Sequence, residues 1–328
     1  MTKLKIATSL LGATLLAVSP AMAANYSFQT LNNSADPNFN QLLGINNSGT
    51  TVGYDGDGAV VPNMGYSLKN GAYSNENFPG SAQTQVIGIN SGASPTTVGF
   101  YVDGLGNNFG FVNQGGTFTS VSNPNTPSGT TVNQLLGVDN SNIAAGFYVD
   151  GGGNAQGYLY NIGSQSFTAI TDPIGVATTA AGINNSGVVT GFYTDAGGAT
   201  HGFLDIAGIY TSFDDPNGTN TMFFGINNVG GVVGSYMDTN GVNEGLVYDY
   251  LTNTWQTVDD PNNSANAAFG VTGTFINGIN DNGQLVGFYS DGTNVDGFSA
   301  TATPEPASIG LISLGLLGAG LVRRRKRS

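Results

Sequence analysis

The sequence predicts an all-β fold, a six-bladed β-propeller closed by its own N-terminal strand, with a single C-terminal transmembrane helix after it. Three observations carry the propeller. A Gly-Ile-Asn core recurs six times, two more glycines recur behind each core, and the last copy lacks a strand that the N-terminus has to spare. The cores read Leu43-Gly44-Ile45-Asn46-Asn47, Ile87-Gly88-Ile89-Asn90, Leu136-Gly137-Val138-Asp139-Asn140, Ala181-Gly182-Ile183-Asn184-Asn185, Phe224-Gly225-Ile226-Asn227-Asn228 and Asn277-Gly278-Ile279-Asn280-Asp281. Their first glycines are 44, 49, 45, 43 and 53 residues apart, a spacing that fits propeller blades.

Each core is a first strand. A second glycine (Gly53, Gly99, Gly146, Gly191, Gly234, Gly287) follows in the second strand, mostly in a Gly-Phe-Tyr run. A third (Gly65, Gly110, Gly157, Gly202, Gly245, Gly297) comes 10 to 12 residues later and opens the third strand. Runs such as Ser166 to Ile170 or Thr254 to Val258 supply the fourth. The sixth copy stops after its third strand, at Phe298 to Ala300. Tyr26 to Leu31, followed by Asp36-Pro37-Asn38, has the fourth-strand pattern of Tyr210 to Asn217. Pairing the first strand with the last three closes the ring and leaves no blade open. Glycine at the repeat positions is expected to serve turns and bulges, where φ > 0 costs it nothing.

The two ends differ from this. Lys3 and Lys5, an apolar run from Ile6 to Val18 and Ala21-Met22-Ala23 form a signal peptide over residues 1–23, leaving residues 24–302 as the exported domain. Residues 303–328 hold Pro304-Glu305-Pro306, an apolar stretch from Ala307 to Val322, and Arg323-Arg324-Arg325-Lys326-Arg327. As a helix the stretch reaches about 24 Å against roughly 30 Å of hydrocarbon, and the basic stop holds its far end at the cytoplasmic headgroups. A plain single-pass anchor would look similar.

With its three parts in this order, the tail resembles the PEP-CTERM sorting signals of Gram-negative bacteria that make exopolysaccharide. That resemblance implies an exosortase-type membrane protease as processing partner. It also implies transient anchoring in the inner membrane, and a product at the cell surface or in the extracellular matrix of a biofilm. The repeat resembles extracellular HAF repeats through His201-Gly202-Phe203-Leu204. The other copies place Met64, Phe109, Gln156, Glu244 or Asp296 where the histidine stands.

Composition excludes several functions. Seven of the eight Lys and Arg lie in the two ends, so the exported domain has Lys69 against 20 acids, a formal charge of −19 that repels nucleic acid and anionic lipid. There is no cysteine, and His201 is the one histidine, which rules out disulfides, thiol catalysis and multi-histidine zinc sites. A Ser-His-Asp triad would rest on His201 alone, a residue expected in a partly exposed loop. No Gly-x-x-x-x-Gly-Lys motif supports nucleotide binding.

Carboxylates remain. Fifteen of the 20 fall in the two loop types that share one face of the ring, where Asp-Gly and Asp-Pro serve as turn formers. A sharper possibility is that Asp103, Asp150, Asp195, Asp238 and Asp291 bind Ca²⁺, which needs about 6 to 8 oxygens per ion. No other cofactor is indicated. The expected function is non-enzymatic: a binding or structural surface module with extracellular polysaccharide or another surface protein as partner. A propeller glycoside hydrolase or lyase is the alternative, but the acids recur in every blade instead of standing out as a pair.

Overall fold

The computed structural model describes residues 25–128 and 131–303. The leader, the Pro304-Glu305-Pro306 motif, the apolar stretch and the basic stop lie outside the described residues, as does the helix expected there. All elements of the described residues are strands, arranged as six four-stranded antiparallel sheets.

β1 (Tyr26–Thr30) opens the chain. The first blade is β2 (Asn40–Ile45), β3 (Thr51–Asp55), β4 (Met64–Lys69) and β5 (Ala72–Asn75). The second is β6 (Gln83–Ile89), β7 (Thr96–Val102), β8 (Asn108–Gln114) and β9 (Thr117–Val121). The third is β10 (Asn133–Val138), β11 (Ile143–Val149), β12 (Ala155–Asn161) and β13 (Ser166–Ile170). The fourth is β14 (Ala177–Ile183), β15 (Val189–Thr194), β16 (Thr200–Ile206) and β17 (Ile209–Phe213). The fifth is β18 (Thr219–Ile226), β19 (Gly231–Met237), β20 (Asn243–Asp249) and β21 (Thr254–Thr257). The sixth has β22 (Thr274–Ile279), β23 (Leu285–Ser290) and β24 (Val295–Ala302), completed by β1 in the order β1-β24-β23-β22.

The closure is the one the repeat offset requires: Tyr26 pairs with Ala302 and Thr30 with Phe298, antiparallel and without a bulge. The first strand of every blade lines the axis. Strand direction alternates, so the turns after first and third strands share one face, here the cap face. The loops after second and fourth strands share the other, the cup face. Asn25 and Thr303 meet at the cap face, where the Thr303 N–H donates to the Asn25 carbonyl at 3.0 Å.

Two glycine positions per repeat are explained by close approach. A Cβ on Gly53 would stand 2.0 Å from the Gln41 carbonyl oxygen, and one on Gly44 would stand 2.6 Å from the Ile87 carbonyl of the next blade. Neither has positive φ, so the expectation of φ > 0 is corrected here. The bulge is real, since the β2–β3 register shifts between Leu42 and Gly44. Bare second glycines also make room for third-strand rings. A Cβ on Gly191 would meet the Phe203 ring at 2.8 Å, and one on Gly287 the Phe298 ring at 2.9 Å. Those two rings are fully buried, each contributing about 1.5–3 kcal/mol of apolar burial. The core is thus a set of clusters between blades, such as Val52, Val86 and Phe111 from the first and second.

Candidate functional site

The largest concavity among the described pockets is an axial cup of about 550 Å³ on the cup face, a size suited to a small ligand. Its walls follow from strand alternation. In the Gly-Phe-Tyr runs of the second strands the glycine packs against the first strand, and Phe100, Phe147, Phe192 and Phe288 turn toward the axis. The first and fifth blades break the run with Tyr54 and Ser235, both buried.

The glutamines of the cup are one-sided, whereas its phenylalanines are not. Blades one to three supply Gln41, Gln85 and Gln134 together with Phe100 and Phe147, while blades four to six supply Phe192, Phe224, Phe275 and Phe288. Phe275 stacks on Phe288 at 4.9 Å between centroids, and Phe192 meets Phe224 edge-on at 6.1 Å. Gln41 accepts from the Tyr54 hydroxyl at 2.7 Å, and Gln85 donates to Asn63 at 2.7 Å, so both amides are held in place. The Gln134 amide has no protein partner among the described residues. Asn277 replaces the apolar residue that precedes the core glycine elsewhere, and its Oδ1 is buried at the floor with no hydrogen bond. No ionisable side chain lines the cup. Below it the Ile45, Ile89, Val138, Ile183, Ile226 and Ile279 positions narrow the channel to a space of about 70 Å³.

At the cap face the two Asn positions of each core knit the blades together, a role the sequence reading did not assign. The first Asn closes its own turn and donates across the seam. Asn46 Nδ2 donates to the Asn90 carbonyl at 3.2 Å, Asn90 to Asp139 at 2.9 Å, Asn184 to Asn227 at 3.1 Å, and Asn227 to Asn280 at 3.1 Å. Asp139 has no side-chain N–H to give, so the third-to-fourth seam lacks this bond. A second ring is complete. The N–H groups of Asn47, Ser91, Asn140, Asn185, Asn228 and Asp281 each donate to the matching side chain of the next blade at 2.8–2.9 Å. The recurrence of Asn, Asp or Ser at the two positions after each Gly-Ile or Gly-Val was the available signal.

The five proposed calcium residues sit separately in second-to-third-strand turns. Oδ1 of Asp103 accepts from the N–H of Leu105 and Asn107, and Oδ1 of Asp150 from Gly152 and Asn154. Asp195, Asp238 and Asp291 do the same in their own turns. The Asn107 amide holds Asp103 below the usual carboxylate range, and turn N–H groups do so for the other four. Among the described residues no three His, Asp or Glu gather to hold a metal ion.

His201 lies in β16, not in a loop. It stacks on Tyr193, with Nδ1 2.7 Å from Asp214 and Nε2 3.5 Å from Asp195. Burial disfavours its charge, but the two carboxylates outweigh that and raise its pKa. No serine nucleophile joins it in these contacts. In the next blade, burial together with contact and repulsion from Asp259 pushes Glu244 up to about 8. That pair is in hydrogen-bond contact, tighter than the roughly 5–9.5 Å separations of glycoside hydrolysis. Trp255 stacks on Tyr248 at 4.2 Å in the outer part of its blade, away from the cup.

Fold and site together define a six-bladed β-propeller with one uncharged axial cup. Residues 302–326 match the family model of the PEP-CTERM protein-sorting motif, which implies export, transient membrane anchoring and processing by exosortase. No curated protein matches the chain in sequence. Among solved structures it is similar to the SapL1 lectin in complex with α-methyl fucoside, at 12% identity and TM-score 0.53, over 81% of this chain and 92% of that one. A mutant lectin of Aleuria aurantia, in complex with a fucosylated GlcNAc, aligns at 10% identity and TM-score 0.51, over 81% of this chain and 97% of that one. TolB from Acinetobacter baumannii aligns at 11% and 0.50, over 76% of this chain and 63% of that one. At such identities the likeness is one of fold.

Proposed function

We propose that this protein is an exported, exosortase-sorted surface or matrix module that binds extracellular polysaccharide, without catalysis, through the axial cup. The observation that carries this is the cup's lining, with phenylalanine faces around the ring for the C–H face of a sugar and glutamine amides gathered on blades one to three for its hydroxyls. The surrounding carboxylates repel polyanions, and the uncharged walls offer no counter-charge to a buried ion. The glycan recognised is therefore neutral. The SapL1 lectin, similar in fold, is complexed with a fucoside, which puts sugar binding within the range of the fold. Catalysis is disfavoured because no carboxylate lines the cup.

Glycan-array binding by the mature chain tests the proposal. Binding to neutral glycans, lost in Phe192→Ala and Gln134→Ala, is the expected result. Binding unchanged by both substitutions, or no binding at all, overturns it and leaves a purely structural coat protein.

A further inference from the structure

The acids divide unequally between the two faces. By strand order Asp139, Asp205, Asp249 and Asp281 lie at the cap face together with Lys69, the one cation of the exported domain. Glu76 follows β5 but its carboxylate reaches Thr97 and Asn113 at the cap ends of β7 and β8, so it counts with the cap, and the other 15 of the 20 acids belong to the cup face. The formal charges are −4 and −15, which sum to the −19 of the domain. Asp139 and Asp205 are also buried, so the cap presents still less charge to its surroundings.

The chain leaves from the cap. Thr303 is pinned to Asn25 there, and the apolar stretch begins at Ala307. Four residues span at most about 14 Å, whereas a seven-residue strand puts the cup face more than about 20 Å farther away. A charged surface is felt over about 8–10 Å at physiological salt, so an anchored propeller brings its cap, and not its cup, within range of the headgroups.

Apolar side chains are exposed on this side as well. Leu251 is 67% exposed beside Gly230 and the exposed Val229 in the fifth blade, and Ile206 and Ile209 are exposed in the fourth. The cup face exposes apolar side chains too, Leu105, Val60, Ile174 and Phe269 among them, but there they stand among 15 acids. The lower charge, exposed apolar tips and the exit of the tail thus coincide on one face.

We propose that the cap face is a lipid-contacting surface. While the sorting tail is uncut, the propeller stands on the bilayer with the turns of blades four to six against the headgroups and the cup turned outward. This rests on the sorting-motif match and is independent of what the cup binds.

The chain has no cysteine, so single-cysteine variants of the full-length protein report cleanly. Leu251→Cys and Ile209→Cys, and Leu105→Cys for the other face, carry an environment-sensitive fluorophore. Each is reconstituted without protease in phosphatidylethanolamine/phosphatidylglycerol vesicles holding a headgroup nitroxide lipid. All three side chains are exposed, two in turns and Ile209 at the start of an outer strand, so folding is preserved, and a matching melting temperature checks it. The expected result is quenching at Leu251→Cys and Ile209→Cys about threefold or more above that at Leu105→Cys, given the screening distance. Equal quenching at all three, or stronger quenching at Leu105→Cys, overturns the proposal. No glycan is present, so failure of cup binding leaves this outcome unaffected.

Discussion

Asn280 donates through Nδ2 to the backbone carbonyl of Asn46, 234 residues away, at 3.1 Å. It is the link that joins the last blade to the first in the cap-face ladder. The same bond recurs at four other seams and fails at one, where Asp139 stands in for asparagine.

Asp139→Asn should therefore stabilise the protein. Its Oδ1 contacts with the N–H of Ser141 and Ile143 are kept, as Asn184 keeps the equivalent ones, and a donor toward the fourth blade is gained. A gain of about 1 kcal/mol, or about 2–4 °C in melting temperature, is expected at pH 7. Burial raises the pKa of Asp139. Its folded value thus lies above its unfolded one, and the wild type recovers stability as pH falls through the folded pKa. The advantage of the variant should shrink in acid; an advantage that does not change with pH would refute this account.

Asn280→Asp should do the reverse, removing a donor at the closing seam and bringing a second carboxylate near Asp281. A fall of at least about 1 kcal/mol at pH 7 is expected in denaturant titration.

Gly191→Ala and Gly187→Ala separate two uses of glycine. A Cβ on Gly191 would stand 2.0 Å from the Thr179 carbonyl, while Gly187 has open space but a φ of +76°. The first change should cost about 3 kcal/mol and the second about 1 kcal/mol. Equal melting temperatures for the two would show that crowding does not matter.

Glu244→Gln removes a carboxyl whose proton the fold retains up to about pH 8 because of burial and Asp259. Its folded pKa is raised, so wild-type stability declines as pH rises through that value. The variant should lose this decline. At pH 9 it should melt about 1–3 °C above the wild type, with little difference near pH 4, below the unfolded value, a modest effect because the site is solvent-screened.

His201→Gln should show its deficit at the acidic end instead. Against the opposing effect of burial, Asp214 and Asp195 raise the folded pKa of His201. Its stabilising effect is complete below the unfolded value of about 6.5 and fades as pH rises through the folded one. The deficit of the variant should be larger at pH 5 than at pH 8.5. A thermal-melt series across that range checks it.

Strand count and closure were legible because the repeat sets both period and offset; Tyr26 to Leu31 could be matched directly to Tyr210 to Asn217. The reason for the repeat glycines was not, because Gly44 and Gly53 are constrained by carbonyls from another blade or strand that a linear reading does not bring together. The strand position of His201 was hidden for a related reason, since nothing in Thr200-His201-Gly202 reveals that β16 begins one residue earlier. The cup was the least visible feature. Phe100, Phe147, Phe192 and Phe288 read as ordinary core residues in a Gly-Phe-Tyr run, and only ring geometry turns them toward a shared axis with Gln41, Gln85 and Gln134.

The pairing of Tyr26–Thr30 with Val295–Ala302 makes the first strand made wait for the last. A chain that ends early would leave the sixth blade without its third strand and the first strand without a partner, with exposed edges open to proteolysis and aggregation. Residues 302–326, which match the sorting motif, follow immediately. Completion of the ring and possession of the address are therefore coupled in the chain: only a molecule able to close is one that can be sorted.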